Sequence, residues 1–195
     1  HSSGWIVAGT DIGIFHSTDI GGTWIPGNVG LSYLNIRSVA THTNGRIFAG
    51  TDVGVSRSSD TARSWTPSGL SFTAVNALDV LSSGYILAGT GSGVYRSTDN
   101  GGNWTQVGLA GTGVNALTIQ PNGNVFAGIN SGVFRSTDNG VSWTQTGLTG
   151  TVVRSLAFSL SGYTLAGTDN GVYRSGDNGA SWTQVGLTTS PVTAF

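Results

Sequence analysis

Short runs of alternating apolar and polar residues follow one another along the chain, separated by turns rich in Gly, Asn and Asp. In residues 114–147 the runs are VNALTI, NVFAG, VFRS and SWTQTG, and the segments PNG, INSG and TDNGV separate them. Short alternating runs bounded by such turn residues are typical of β-strands. We therefore predict a meander of four antiparallel strands in this segment.

The same unit occurs five times. An eight-residue motif marks each copy: STDIGGTW (17–24), SSDTARSW (58–65), STDNGGNW (97–104), STDNGVSW (136–143) and SGDNGASW (175–182). A four-stranded unit cannot bury both faces of its own sheet, so neighbouring units must pack face to face, which such modules do around an axis. We predict an all-β fold, a five-bladed β-propeller of four-stranded antiparallel blades about 39 residues long, forming a single domain over residues 1–195.

The two ends of the chain complement each other in this pattern. The chain starts at a second strand, SSGWIVAG, and stops inside a first strand, PVTAF. We expect Val192–Phe195 to pair with the N-terminal blade, to complete it and so to close the ring. In the alternative, a larger ring of which this chain supplies only part, an unpaired strand edge would remain at each end.

Composition narrows the classes of function. Eight Arg and nine Asp, with neither Lys nor Glu, give a net charge of −1, which argues against nucleic-acid binding. The chain has no Cys, which excludes disulfides and thiolate chemistry. His1, His16 and His42 are too few and too scattered for a metal cluster, so we expect neither a metal nor a cofactor. No apolar run has the length of a membrane helix, and we expect no membrane insertion and a monomer.

The motif Ser/Thr-x-Asp-x-Gly-x-Thr/Ser-Trp, after a Val-aromatic-Arg strand, resembles the bacterial neuraminidase repeat, or Asp-box, of sialidases, sortilin-type receptors and photosystem assembly factors. The second copy departs from it, with Ala62 and Arg63 where the third has Gly101 and Gly102, and we expect a looser turn there. The resemblance implies a β-propeller in which the box is a structural turn away from the ligand face. Local chemistry agrees, because Asp accepts N–H bonds from the turn that follows and Gly permits positive φ. The structural residues are then Asp19, Trp24, Asp60, Trp65, Asp99, Trp104, Asp138, Trp143, Asp177 and Trp182.

Catalysis is not expected. Sialidase-like members of the family use a Tyr–Glu pair, an Asp acid and three Arg, and this chain has no Glu. Glycoside hydrolysis generally needs two facing carboxylates. Asp11, Asp52 and Asp169 share one turn position, which is Gly91 and Asn130 in the other copies. We interpret them as turn residues, and they are the only candidates for a glycosidase or for carboxylates that reach a ligand.

Two sets of residues are candidates for ligand binding. Tyr33 and Phe72 lie in links between blades, where the other links are AGTG, TGTV and TTSP. Exposed aromatic residues in such links resemble the composition of a binding site. The second set follows the first apolar residue of each inner strand and would suit the lip of a central channel, opposite the boxes; it comprises Arg37, Asn76, Asn115, Arg154 and Thr193.

Two further sets invite a structural interpretation. The first set consists of the residue directly before each box, which we expect to pair locally or to line the blade edge. Its members are His16, Arg57, Arg96, Arg135 and Arg174. The other opens each second strand, and we favour its packing on the neighbouring strand over stacking on sugars: Trp5, Arg46, Tyr85, Asn124 and Tyr163.

These features favour a non-catalytic, multivalent binding module, above all a lectin-like module for carbohydrate, whose weak sites gain from avidity. The alternatives are a protein–protein interaction scaffold, a recently amplified or designed repeat protein without a ligand, and a sialidase-like glycoside hydrolase. The expected partner is a glycan or a protein on the channel face. The chain does not start with Met, so we expect a domain of a longer precursor or an expressed fragment, secreted or at the cell surface.

Overall fold

The computed structural model of the protein describes residues 5–195, so His1 lies outside the described residues. Within them the regular structure is entirely β. The nineteen strands are β1 (Ile6–Thr10), β2 (Gly13–Ser17), β3 (Ile25–Pro26), β4 (Ile36–Thr41), β5 (Ile47–Thr51), β6 (Gly54–Ser58), β7 (Thr66–Ser71), β8 (Val75–Val80), β9 (Ile86–Thr90), β10 (Gly93–Ser97), β11 (Thr105–Gly108), β12 (Val114–Ile119), β13 (Val125–Ile129), β14 (Gly132–Ser136), β15 (Thr144–Thr149), β16 (Val153–Phe158), β17 (Thr164–Thr168), β18 (Gly171–Ser175) and β19 (Thr183–Gly186).

The strands form five antiparallel sheets in chain order. Strands β12 to β15 confirm the meander predicted for residues 114–147, with strand ends that differ by no more than two residues. Four sheets, β4–β7, β8–β11, β12–β15 and β16–β19, have the predicted four strands. The first sheet departs from the prediction and has three strands, β1–β3, because Val192–Phe195 form no strand.

The chain is divided into two compact units. The first consists of His1–Ala88 and Arg96–Thr105, and the second of Gly89–Tyr95 and Gln106–Phe195. In the first unit, a buried cluster joins Ile14, Ile36, Ile47, Ala49, Ala62 and Trp65. In the second unit, the corresponding cluster contains Phe126, Val133, Leu148, Val153 and Ala166.

The second strands β5, β9 and β13 are the most buried elements. Every residue of β5 and of β13 is buried, so both faces of these strands are covered and both carry apolar side chains. Each contains a Gly where the next sheet approaches. A Cβ on Gly50 would lie 2.8 Å from Val75 Cγ1, and one on Gly128 would lie 2.5 Å from Val153 Cγ1. Glycine therefore allows the first residue of the following inner strand to pack directly on the backbone.

Val192 occupies the corresponding place on the fifth sheet. A Cβ on Gly167 would lie 2.9 Å from Val192 Cγ1, and the Val192 N–H donates to the Thr168 carbonyl at 2.9 Å. Ser155 Oγ also donates to the Val192 carbonyl at 3.3 Å. The C-terminal segment thus packs on β17 as β16 packs on β13. Its pairing with the first sheet, and with it the closure of the ring, stays a prediction.

Candidate functional site

Residues that the sequence placed in two separate candidate sets form pairs in the structure. In the first unit, Arg37 Nε donates to Asp52 Oδ1 at 2.5 Å, and Asn35 Nδ2 donates to Asp52 Oδ2 at 2.9 Å. Arg37 Nη1 also donates to Asn76 Oδ1 at 3.2 Å. The Arg37 hydrogen bond, followed by that of Asn35, lowers the pKa of Asp52. The result is an exposed polar network of one cation, one anion and two amides.

The second unit repeats this arrangement. Arg154 Nε donates to Asp169 Oδ1, and this bond raises the pKa of Arg154. In the neighbouring sheet, Asn115 Nδ2 donates to Asn130 Oδ1 at 2.9 Å and to the Val153 carbonyl at 3.0 Å. About two fifths of each paired Arg and Asp side chain is exposed. Such exposed ion pairs contribute little to stability. Because their side chains are partly exposed, their polar groups are accessible to a ligand.

A β-bulge positions the strand member of each pair. The register of β4 and β5 shifts between Ile36 and Ser38, which leaves Arg37 outside the regular pairing. The same shift leaves Asn115 and Arg154 outside the pairing in their sheets. A bulge redirects one side chain out of the normal alternation. Here it brings a residue of the inner strand to the turn that lies 15 positions further along the chain.

A recurring spacing in the sequence indicates the Arg–Asp and Asn–Asn pairs. Arg is followed by Asp at this 15-residue offset in two copies, and Asn by Asn in a third. In the remaining described copy the pair is Asn76 and Gly91, and Asn76 contacts Arg37 instead. Asp11 and Thr193 are exposed, and each belongs to a different unit.

Tyr33 and Phe72 line one pocket of about 200 Å³ in the first unit, together with Thr51, Val53 and Leu70. Tyr33 is 48% exposed and Phe72 is 93% exposed. The pocket adjoins the polar network along the chain, because Asp52 stands between Thr51 and Val53. The aromatic faces of the pocket can hold a ligand that is apolar on one side, and the network of Asp52 supplies polar groups that are next to the pocket residues in the chain.

Phe72, like Ile20, Leu109 and Leu187, has a positive φ, which is rare for a bulky residue. Its φ is +64°, and its N–H donates to the Val53 carbonyl at 2.7 Å. The corresponding residues of the next two copies are Gly111 and Gly150, with φ of +73° and +72°, and their N–H groups make the equivalent bonds to Ser92 and Ser131. A bulky residue in this region is strained, and such strain is concentrated at functional sites.

The five boxes are closed turns. In the fourth, for example, Ser136 Oγ donates to Asp138 Oδ1 at 2.8 Å, and the Ser142 N–H and hydroxyl donate to the two Asp138 oxygens. Hydrogen bonds from the residue four positions on and from the preceding Ser lower the pKa of each box Asp to about 2; the set is Asp19, Asp60, Asp99, Asp138 and Asp177. These carboxylates are committed to their own turns.

The second box makes the same bonds as the others. Asp60 accepts from Ser58 and from both donors of Ser64. Thr61 and Ala62 adopt φ of +66° without a Gly, and Ala62 is fully buried. We find no looser set of hydrogen bonds at this turn.

Four of the five box Trp residues contact the preceding hairpin. Trp65 Nε1 donates to the Gly27 carbonyl at 2.8 Å, and Trp104 Nε1 donates to Ser68 Oγ at 3.2 Å. In the second unit, Trp182 Nε1 donates to Thr146 Oγ1 at 3.2 Å, and a Cβ on Gly108 would lie 2.3 Å from Trp143. Trp24 is 43% exposed.

The Arg residues that precede the boxes contact either the next box along the chain or an aromatic ring of their own sheet. Arg57 Nη1 donates to the Asn100 carbonyl at 3.1 Å, and Arg135 Nη1 to the Asn178 carbonyl at 2.8 Å. The other two lie over aromatic rings that open the second strands: Arg96 is 5.4 Å from the Tyr85 ring centre and Arg174 is 4.4 Å from that of Tyr163. Trp5 stacks on His16 in the same way, with ring centres 6.4 Å apart.

Within residues 5–195, no helix has the length and hydropathy needed to cross a membrane. In the same residues, no group of three or more His and Asp side chains comes together in a way that would hold a metal ion.

Similar structures come from several kinds of protein. The extracellular domain of a B. thetaiotaomicron protein described as a hybrid two component system is 19% identical, with a TM-score of 0.81 over 97% of this chain and 28% of that chain. A GH74 enzyme of Niastella koreensis is 18% identical, with a TM-score of 0.76 over 93% of this chain and 35% of that one. A structure titled YCF48 bound to D1 peptide is 21% identical, with a TM-score of 0.68 over 92% and 62%. At these identities the likeness shows the fold, and this chain spans about a third or less of the first two.

No curated protein matches the sequence. A family model, that of the DUF6242 β-propeller domain, matches residues 84–194, which is more than half of the chain. The resemblance of the boxes to the bacterial neuraminidase repeat stays an interpretation of the sequence. The strands, the sheets and this match together lead to one conclusion: the chain belongs to the DUF6242 β-propeller domain family.

Proposed function

We propose that the chain is a non-catalytic module that binds carbohydrate through the pocket of Tyr33 and Phe72. The observation that carries the proposal is Phe72, which is 93% exposed and strained at φ +64°. The fold does not need an aromatic residue there, because Gly111 and Gly150 make the same backbone bond in other copies. An exposed ring kept at a cost in stability is accounted for by contact with a ligand.

Carbohydrate suits the aromatic pocket together with the polar network that is next to it in the chain. The C–H face of a sugar ring packs on an aromatic ring, and its hydroxyls need donors and acceptors at the rim. Asn35, Arg37, Asp52 and Asn76 offer both, in a network that is already ordered. Ordered polar groups lose less conformational entropy when a ligand binds. This proposal places the ligand at one aromatic site rather than at five equal ones.

The proposal of a non-catalytic role is supported by the state of the carboxylates. Asp52 and Asp169, two of the three candidates for a glycosidase, are paired with Arg. The five box carboxylates have a pKa of about 2, so none holds a proton at neutral pH for a leaving group. A general acid in a glycosidase needs a raised pKa.

The test is a glycan array followed by calorimetry, with Phe72→Ala and Tyr33→Ala as the binding variants. Leu160→Ala is the matched control, because Leu160 is a fully exposed apolar residue of the second unit. We expect at least one glycan to bind the natural chain, and each binding variant to lose about tenfold or more in affinity. If no glycan binds at millimolar concentration, or if Phe72→Ala binds as the natural chain does, the proposal is wrong.

A second candidate is a scaffold that binds a protein segment, because one similar structure is titled YCF48 bound to D1 peptide. In that case the exposed networks of Arg37 and Arg154 would contact the partner. Pull-down with the natural chain and with an Arg37→Ala, Arg154→Ala variant tests this candidate. Equal recovery of the partner by both proteins would exclude both networks as binding sites.

We also propose that the protein is located outside the cell. The extracellular domains and the bacterial surface component among the similar structures support it. Detection of the natural protein in the medium or on intact cells, by an antibody that cannot enter them, would test it.

A further inference from the structure

A second, strongly polar pocket lies in the first unit beside the second box. It has a volume of about 180 Å³ and is lined by Arg46, Arg57, Ser58, Ser59 and Thr66. It contains two guanidinium groups and three hydroxyl-bearing residues and has no carboxylate in its lining.

The two Arg side chains lie on one face of the sheet. Arg57 of β6 is paired with Phe48 of β5. Arg46 lies directly before β5 and precedes Phe48 by two positions. Side chains two residues apart on a strand point to the same face. Diagonal neighbours across a strand pair are about 7–8 Å apart at the backbone, within reach of long side chains. Arg46 and Arg57 therefore share one side of the β5–β6 hairpin.

In two other copies of the repeat, a Tyr and an Arg occupy the two positions that correspond to Arg46 and Arg57. Within the first unit, Tyr85 holds the position of Arg46 and Arg96 holds that of Arg57, and the cation lies over the ring. Within the second unit, Tyr163 and Arg174 make the same contact. The second copy has replaced the aromatic partner with another cation. A favourable cation–π contact has thus become a pair of like charges.

No acidic side chain of the pocket balances these two charges. The two ion pairs among residues 5–195 are formed by Arg37 and Arg154. Asp60, two residues beyond Ser58, uses its oxygens for Ser58 and for both donors of Ser64. Arg57 is held in place by its bond to the Asn100 carbonyl. The pocket therefore has positive charge and an anchored donor, which are the properties of an anion site.

We propose that Arg46 and Arg57 bind a sulfate or phosphate group. Each guanidinium has five N–H donors in a planar fork, and Ser59 and Thr66 add hydroxyl donors. A tetrahedral oxyanion with three or four oxygens can accept from both forks and from a hydroxyl, whereas a carboxylate has only two oxygens. The site is separate from the aromatic pocket, and it does not depend on the proposed carbohydrate site.

The test is a titration with inorganic sulfate and with inorganic phosphate, followed by amide NMR at constant ionic strength. Arg46→Tyr is the binding variant, because it restores the residue that two other copies carry and should fold. Arg63→Ser is the matched control, since it removes the same charge from an exposed position of the same box. We expect saturable shifts at Arg46, Arg57, Ser59 and Thr66, a loss of affinity of about tenfold or more in Arg46→Tyr, and no change in Arg63→Ser.

The absence of saturable binding of either ion by the natural chain would overturn the proposal. Equal affinity of the natural chain and of Arg46→Tyr for these ions would also overturn it. Acetate, a carboxylate probe, should bind more weakly than sulfate, and tighter binding of acetate would refute the choice of a tetrahedral anion. Sulfated, phosphorylated and unmodified forms of one oligosaccharide then identify the source of the group. Phe72→Ala should leave sulfate affinity unchanged, so failure at one pocket is distinguishable from failure at the other.

Discussion

Replacing Phe72 with Gly should make the protein more stable and remove its proposed ligand binding. An L-residue in the left-handed region costs about 1–2 kcal/mol, and Phe72 has φ +64°. Glycine removes this strain but adds about 0.4–1 kcal/mol of unfolded-state entropy. Loss of the ring costs little in packing, because 93% of Phe72 is exposed. The net expectation is a gain of about 0.5–1 kcal/mol in the free energy of unfolding.

Thermal and urea unfolding measure this change. For a chain of this length the gain corresponds to a rise in Tm of about 1–4 °C. Phe72→Ala is the control, since it removes the ring but keeps a Cβ in the strained region. Phe72→Ala should lose as much glycan affinity as Phe72→Gly, and its free energy of unfolding should change by less than about 0.5 kcal/mol. A Phe72→Gly variant that is less stable than the natural chain, or that still binds its glycan, would refute the reasoning.

Two further predictions concern the boxes. Ile20 has φ +59° and is 82% exposed. Ile20→Asn introduces the residue that the third box carries at Asn100, and it should raise the free energy of unfolding by about 1 kcal/mol. Urea titrations measure this change, and a decrease would contradict this account of the turn. The box carboxylates have pKa values lowered from 3.8 to about 2, so their contribution to stability is full above about pH 4 and is lost as the pH falls towards 2. Urea unfolding from pH 7 to pH 2 should show this loss, and Asp138→Asn should reduce it; an unchanged acid limb in Asp138→Asn would count against the assignment.

The repeat made the local structure predictable. Alternating runs between Gly, Asn and Asp turns predicted the four strands of residues 114–147 to within two residues, because the period of two and the turn residues are local properties. The box residues were also predictable, since the Ser, Asp and backbone donors of the turn lie within five positions of one another in the chain. The first sheet was the exception, because its fourth strand was assigned to residues at the other end of the chain.

The candidate sites were only partly predictable. Tyr33 and Phe72 stood out in the sequence as aromatic residues in Gly-rich links, but the strain of Phe72 is a property of its backbone. Arg37 and Asp52 were placed in different sets, although their 15-residue offset recurs. The bulge that brings them together depends on the register of β4 and β5, and register is set by the packing of whole sheets.

By itself, the sequence determined five copies of one β unit, their turns and the absence of Glu, Lys and Cys chemistry, because composition and local periodicity are present in the chain before it folds. Only the tertiary structure decided which polar residues neutralise one another, which ring remains strained and exposed, and where two Arg side chains share a pocket. Those outcomes depend on contacts between residues on different strands and in different copies, and local propensity does not specify such contacts.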